Sequence, residues 1–380
     1  MGWRFFAASL DRGDEPLTIL HSQLPLRDVQ ITTALSGVDS LSATISPEWL
    51  ALQTGQKKGE PILEEWGCAI WAEADGQIAG GGILVQSGFQ GSEWRVETIG
   101  YAGYAGGMPF TDSWFGVEID ALDVVRKIWD HLQEQPGGNL GLVVDPLMSG
   151  VLIGTELDQG EYDEETGDVP PLEDGPIQFN WWSTHDLGRE LENLAVETPF
   201  DFWEEHRWNE AKDALVHRLR LAHPRAGRRR TDLRFVVGEN IMENPSIEYD
   251  GEAWANEILF LGAGEGRMMV RGQASQRAPN RLRRVKVVQD KTIRGRHNAY
   301  REARTELAYA KSFGDISEIV VADHPHAPIG SWHNGDEIRV RGNTGWIEID
   351  EWFRVMSTSI RPDDPNTATI GLERSEAVFR

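Results

Sequence analysis

The sequence predicts a β-rich α+β chain of several domains, and three observations lead there. Short apolar runs bounded by turn residues recur through the first hundred positions and again near the end. Three stretches between them show helical spacing. The chain is 380 residues long, with 40 Gly and 15 Trp, enough for two to four domains, each with its own core, and rich in turns. A 40% hydrophobic content argues for a folded protein over a disordered one.

Residues 1–105 read as strands at Trp3 to Leu10, Leu17 to Leu20, Val29 to Leu35, Ser40 to Ile45, Gly67 to Ala74, Ile78 to Phe89 and Glu93 to Gly100. Asp75-Gly76 lies between two of these runs, and both residues tolerate the positive φ of a tight hairpin turn. Ser42 to Pro47 followed by Glu48-Trp49-Leu50 reads as a strand leading into a short helix. So many strand edges are protected most simply by a closed or nearly closed barrel.

From Thr111 the pattern changes. Leu122, Val125, Trp129 and Leu132 fall on one helical face, Val124 and Ile128 widen it, and Pro136-Gly137-Gly138 ends the helix. A strand follows at Leu140 to Val144. Residues 156–175 hold nine acids and no base, so they cannot bury a face and are expected to form a long loop. Their carboxylates lack the ligand spacing of an EF-hand. A second helix is expected behind Ser183 as cap, with Asp186 near its positive end and Leu187, Leu191, Leu194 and Ala195 as its buried stripe. Thr198-Pro199 ends it, and Phe202, Trp203 and Trp208 add aromatic bulk. Leu215, His217, Leu219 and Leu221 alternate with Val216, Arg218 and Arg220, as in a strand with one wet face. His217 and His223 read as ordinary polar residues.

Residues 228–272 hold a strand at Leu233 to Val237, strand character around Ile247, and a hairpin of Ala255 to Leu261 with Arg267 to Arg271. The intervening Gly262-Ala263-Gly264-Glu265-Gly266 resembles a nucleotide-binding loop only superficially. A strand pattern, Met268-Met269-Val270, follows it, whereas a phosphate loop needs a helix N-terminus aimed at the anion. The cation-edged strand Arg281 to Gln289 discourages edge pairing. A helix over Arg294 to Phe313 buries Ala299, Ala303, Leu307 and Ala310 and stops at Gly314. Strands at Ile316 to Ala322, Glu337 to Arg341, Glu351 to Ile360 and Thr367 to Glu373 close a second β domain. That domain is expected to end at Phe379-Arg380, with no room expected for an appended enzyme.

The set of segments Asp186-Leu187-Gly188-Arg189-Glu190-Leu191, Thr198-Pro199-Phe200-Asp201-Phe202, Arg229-Arg230-Thr231-Asp232-Leu233, Gly238-Glu239-Asn240-Ile241 and Ala255-Asn256-Glu257 resembles the minor tail proteins of long-tailed actinobacteriophages, the tail-hub family related to baseplate hubs. The resemblance spans nearly the whole chain and rests on loose structural signatures. It implies a multi-domain tail-hub architecture with two tube-like β-barrel domains, one in 1–105 and one in 281–380. An α/β domain at 106–235 and a β-hairpin region at 236–280 would lie between them, and the domains could be discontinuous. It also implies a homotrimer at the virion tail tip, in contact with the distal tail protein ring, the tape measure protein and other tail-tip or receptor-binding proteins. Genomic DNA would pass through its lumen without specific binding.

The net charge is −24, and it is unevenly placed. Residues 1–206 carry 36 acids and 9 bases, or −27, and the remainder carries 25 acids and 28 bases, or +3. The basic clusters Arg225 to Arg234 and Arg277 to Arg296 lack interleaved stacking aromatics, so they read as partners of acidic surface on the other half or a neighbouring subunit. No signal-peptide pattern or membrane-length apolar window occurs, and the chain reads as cytoplasmic at synthesis.

The single cysteine, Cys68, sits in an apolar run as a buried thiol and cannot build a disulfide framework or a cysteine zinc site. In Asp323-His324-Pro325-His326, with His333 beyond, an extended segment would turn the imidazoles apart, and the helical HExxH spacing is missing. Glu204-Glu205-His206 could be drawn as an acid–base group, but an acidic chain offers many such triplets. No nucleophile elbow occurs. The sequence therefore assigns no catalytic, cofactor-binding or metal residue and no cofactor. It favours a non-enzymatic assembly protein. A lysozyme- or peptidase-like wall-degrading tail component and a carbohydrate-binding receptor module stand as alternatives.

Overall fold

In a computed structural model the described residues are 2–10, 17–46, 63–91, 93–154, 176–182, 184–248, 251, 254–264, 266–276, 279–291, 293, 295–310 and 315–375. The expected helix at Glu48 to Leu50, the acidic stretch 156–175, Ser183 and Gly314 lie outside them.

The first module holds β1 (Trp3–Ser9), β2 (Ile19–His21), β3 (Leu26–Ala34), β4 (Ser40–Ile45), β5 (Cys68–Ala74), β6 (Gln77–Gln90) and β7 (Glu93–Ile99), in the spatial order β3-β4-β7-β6-β5-β1-β2. Asp75 at φ 49° and Gly76 at φ 84° form the expected tight turn between β5 and β6. One face of this sheet buries Leu41, Ile45, Ile70, Leu84 and Val96. The other buries Phe6, Trp71 and Ile83 against α1 (Ala121–Glu134) and α2 (Leu187–Glu197).

Helix α1 starts at Asp120, whose carboxylate accepts from Leu122 N, and buries the whole expected stripe. Helix α2 is capped by Asp186 itself, which accepts from Arg189 N at 3.2 Å. The cap lies three residues later than the sequence suggests, because Asp186 also accepts from Gly107 N and so fixes the chain entry. A three-stranded sheet packs beside these helices: β8 (Leu142–Val144), β9 (Asp201–Trp208) and β10 (Leu215–Ala222), in the order β8-β10-β9. Strand β10 shows the predicted strict alternation, whereas β9 has no apolar period to announce it.

After β11 (Phe235–Val236) the chain builds a small α/β layer. Strands β12 (Glu257–Leu261), β13 (Arg271–Ser275) and β14 (Val285–Gln289) lie under α3 (Arg296–Tyr309). The hairpin is present, with Leu261 opposite Arg271. Its second strand starts at Arg271, not Arg267, because residues 266–268 form a 3-10 turn between the hydrogen-bonded Gly262 and Val270. Ala299, Ala303, Leu307 and Ala310 are buried as expected.

The last module holds β15 (Glu318–Ala322), β16 (Glu337–Asn343), β17 (Glu348–Arg361) and β18 (Asp364–Arg374) around Phe235, Ile338, Val340, Phe353, Val355 and Ile370. Strand β17 runs past its partner β16, and its residues Ser357 to Ile360 pair with Ala34 to Ile31 of β3. The two ends of the chain thus share one sheet of twelve strands. The path through it is open, from β11 to β2, and no pairing among the described residues closes either module into a barrel. No described helix is long and apolar enough to cross a membrane.

Candidate functional site

The junction of the first module, β9 and the last module gathers most of the buried charge. Asp201 at the start of β9 is bonded to Arg354 of β17 as a buried ion pair, with the second contact, Nη1 to Oδ1, at 3.3 Å. Arg354 also donates to the carbonyls of Ala226 and Gly335. Asp201 further accepts from Ala226 N at 2.5 Å and from the Ser36 hydroxyl at 3.4 Å. One carboxylate therefore fastens four separate segments. Gly227 crosses Gly335 so closely that a Cβ there would stand 2.1 Å from the Gly335 carbonyl.

On the opposite face of β9, Glu204 and His206 point inward, although a polar pair breaks the usual apolar rule for a core face. They are tolerated because every strong bonding atom is met. Glu204 accepts from Tyr101 N at 2.7 Å and Ala102 N at 2.8 Å, and its Oε2 lies 2.8 Å from His206 Nε2. His206 Nδ1 lies 2.8 Å from His217 Nδ1 on β10. Trp71 and Tyr101 enclose both imidazoles, with their ring centroids 4.4 to 5.4 Å from those of the histidines. His217 is thus one end of a buried hydrogen-bonded chain and not a solitary polar residue. Burial, and then the neighbouring His206 ring, hold it well below the ordinary imidazole range.

Asp39 stands nearby and accepts from Ala34 N at 2.7 Å. Burial raises its carboxyl well above the usual range, and the charge of Glu204 adds to the rise. Asp39 and Glu204 border a mainly apolar cleft of about 950 Å³ at the same junction, between β3, β6, β9 and the last module.

The other sequence candidates sort themselves plainly. Glu205 faces away from His206 and approaches Arg220 at 3.4 Å, so the triplet Glu204-Glu205-His206 is split across the strand. His324 and His326 do not face apart: a turn brings their rings to 5.1 Å, and His326 N donates to His324 Nδ1 at 3.3 Å. Among the described residues no group of three or more His, Cys, Asp or Glu is placed to hold a metal ion. Cys68 is buried, and desolvation pushes its thiol up to about 11, which suits an inert packing role.

The basic clusters are answered mostly by acids of their own half. Arg225 and Arg229 meet Glu337 at 2.9 and 2.7 Å, Arg230 meets Asp232 and Asp336, and Arg283 meets Glu257 at 2.6 Å. Ion pairs across the two halves involve arginines outside the clusters, Arg220 with Asp145 and Arg354 with Asp201.

The fold has counterparts among solved structures. The 43 kDa tail protein of prophage MuSo2 from Shewanella oneidensis superposes with a TM-score of 0.57, at 12% identity over 99% of both chains. The fold is that of a phage tail protein. The tail protein from Neisseria meningitidis MC58 gives 0.53 at 15% identity over 99% of this chain and 98% of the other. Prophage tail protein gp18 from Listeria monocytogenes EGD-e gives 0.50 at 10% identity over 97% and 95%. No family model and no curated sequence matches the chain. Identities this low speak to the shared fold alone.

Proposed function

We propose that this chain is a structural subunit of a phage-type tail, acting as a hub at the tail tip that closes the distal tube, with a role in assembly and not in catalysis. The observation that carries the reading is the tail-protein fold extending over 99% of the chain, ends included. The sheet shared by the first and last modules supports it, since pairing of β3 with β17 makes one continuous wall from two distant parts of the chain.

In this reading three copies assemble, and each contributes two β modules that curve as tube-like, barrel-related units. Six such units would match a sixfold tail ring. The distal tail protein ring, the tape measure protein and receptor-binding tail proteins would be its neighbours, and the virion tail tip its location. DNA would pass along an axis lined by the acidic surface of residues 1–206, because carboxylates deny phosphates the counterion-releasing contacts that make DNA stick.

Native mass measurement tests the assembly. A species at three times 42.6 kDa is expected, and a monomer at every concentration up to tens of micromolar would overturn the trimer. Clearing of a cell-wall zymogram by the purified chain would overturn the non-catalytic role.

A further inference from the structure

Trp346 is 94% exposed at the tip of the β16–β17 hairpin. The tip is a built turn: Thr344 N donates to Ile347 O at 3.0 Å, Gly345 N to Asn343 Oδ1 at 2.7 Å, and Ile347 N to Thr344 Oγ1 at 3.2 Å. Asn244 braces it through Thr344 O. An indole held out in water on a braced turn leaves a large apolar area uncovered, and tryptophan is the side chain that most often anchors an interface by filling a pocket.

The same chain carries a pocket of matching chemistry. The cleft of about 950 Å³ is walled by Trp3, Ile31, Trp203, Ile329, Trp332 and Ile360. Its size and its mostly apolar walls suit a bulky apolar insert. The exposed charges at the two places are opposite in sign, while the cleft's own carboxylates, Asp39, Glu204 and Asp336, are buried on partners within the chain. Exposed Glu348 flanks the tryptophan, and exposed Arg228 and Arg361 stand at the cleft.

The knob cannot reach its own cleft. Strand β17 begins at Glu348, beside the knob, and its far end, Thr358 to Arg361, lines the cleft. At about 3.3 Å per residue the two features stand roughly 40 Å apart along one continuous strand. We infer that the Trp346 hairpin of one copy inserts into the cleft of a second copy, a head-to-tail contact made by different surfaces on the two partners. Such contacts close into rings when the rotation allows. The inference rests on the reading of the chain as a self-assembling tail subunit and adds the contact that joins the copies.

The test uses two variants of the full chain. Trp346→Ala removes the knob and leaves the cleft. Ala79→Trp fills the cleft at a half-buried β-bulge residue and leaves the knob. Each variant alone is expected to associate at least about 30-fold more weakly than wild type, as loss of a strong interface anchor does, and to run as a monomer in native mass measurement. Mixed in equal amounts, they should form a species of twice the monomer mass, since one supplies the knob and the other the cleft. That pairing also shows that both variants fold. If either variant alone keeps the wild-type oligomer, or if the mixture stays monomeric, the knob-and-cleft contact is overturned while the wild-type oligomer still supports the tail-subunit reading. A wild-type chain that never associates overturns both.

Discussion

His206 and His217 face each other across the β9–β10 pair with their Nδ1 atoms 2.8 Å apart, so a single proton lies between the two rings. A second proton there would set two N–H groups against each other inside a cage of Trp71 and Tyr101. The arrangement therefore holds only while the pair stays short of full protonation.

This gives the fold an acid-sensitive point. His217 titrates below its unfolded value of about 6.5, so the unfolded chain binds the extra proton first. Stability is complete above about pH 7 and falls as the pH drops from there toward the folded value, by at most about 1.4 kcal/mol per pH unit. Asp39 works with the opposite sign, because its raised carboxyl makes the folded state bind the proton first. Chemical denaturation from pH 5 to 8 is therefore best compared on an Asp39→Asn background. His217→Phe should lower stability at pH 8 by roughly 1–3 kcal/mol, through the lost partner of His206, and flatten the acid decline. An equally steep decline in the variant would rule His217 out as its source.

The Asp201–Arg354 pair should behave as a buried charge pair whose halves cannot be removed singly. Asp201→Ala leaves a guanidinium buried without its carboxylate and strips Ala226 N of its acceptor. A loss of about 3–5 kcal/mol is expected in urea unfolding. Adding Arg354→Met should recover part of that loss, which a double-mutant cycle reads directly. Strictly additive losses would mean that the two side chains act independently.

Much of the framework was readable in the residues. Strands β1 to β7 and the faces of α1 and α3 follow apolar periods that nothing else in the chain contradicts. The decisive strand, β9, was not, and the buried site was missed with it. Asp-Phe-Trp-Glu-Glu-His-Arg-Trp places Glu204 and His206 where a binary pattern calls for apolar residues. Only the amides of Tyr101 and Ala102, a hundred residues earlier, make that placement affordable. One signal was present: β10 turns His217 to the same side as Leu215 and Leu219, so a pairing strand had to set something compatible with an imidazole opposite it. The β3–β17 pairing joins residues more than three hundred positions apart and leaves no local trace.

Gly227 should prove intolerant of any side chain. Its φ is +80°, a left-handed conformation that L residues seldom adopt, and a Cβ would meet the Gly335 backbone at 2.1 Å. Backbone atoms cannot rotate away as a side chain could, so Gly227→Ala must push apart the segments that Asp201 and Arg354 hold together. A loss of about 3 kcal/mol or more is expected, with the unfolding midpoint as readout. A variant within about 0.5 kcal/mol of wild type would mean that the crossing relaxes freely.

The arginine clusters should bind DNA poorly despite their density. Arg225 and Arg229 share Glu337, Arg230 is held by Asp232 and Asp336, Arg234 by Glu239, and Arg283 by Glu257. A phosphate must displace a carboxylate at each of these positions, and the whole chain repels it with a net charge of −24. Anisotropy titration of a labelled duplex at 150 mM salt should show no saturation at the 10⁻⁴ to 10⁻⁶ M typical of nonspecific binders. Glu337→Gln removes the carboxylate charge shared by Arg225 and Arg229, and the Glu257→Gln change removes the one that holds Arg283. The double variant should gain weak binding at 50 mM salt, and that binding should fade as salt rises, with a slope set by about three phosphate contacts. Tight, salt-dependent binding by the unmodified chain would show that the carboxylates do not mask the cations, and a path for DNA beside these clusters would then be adhesive.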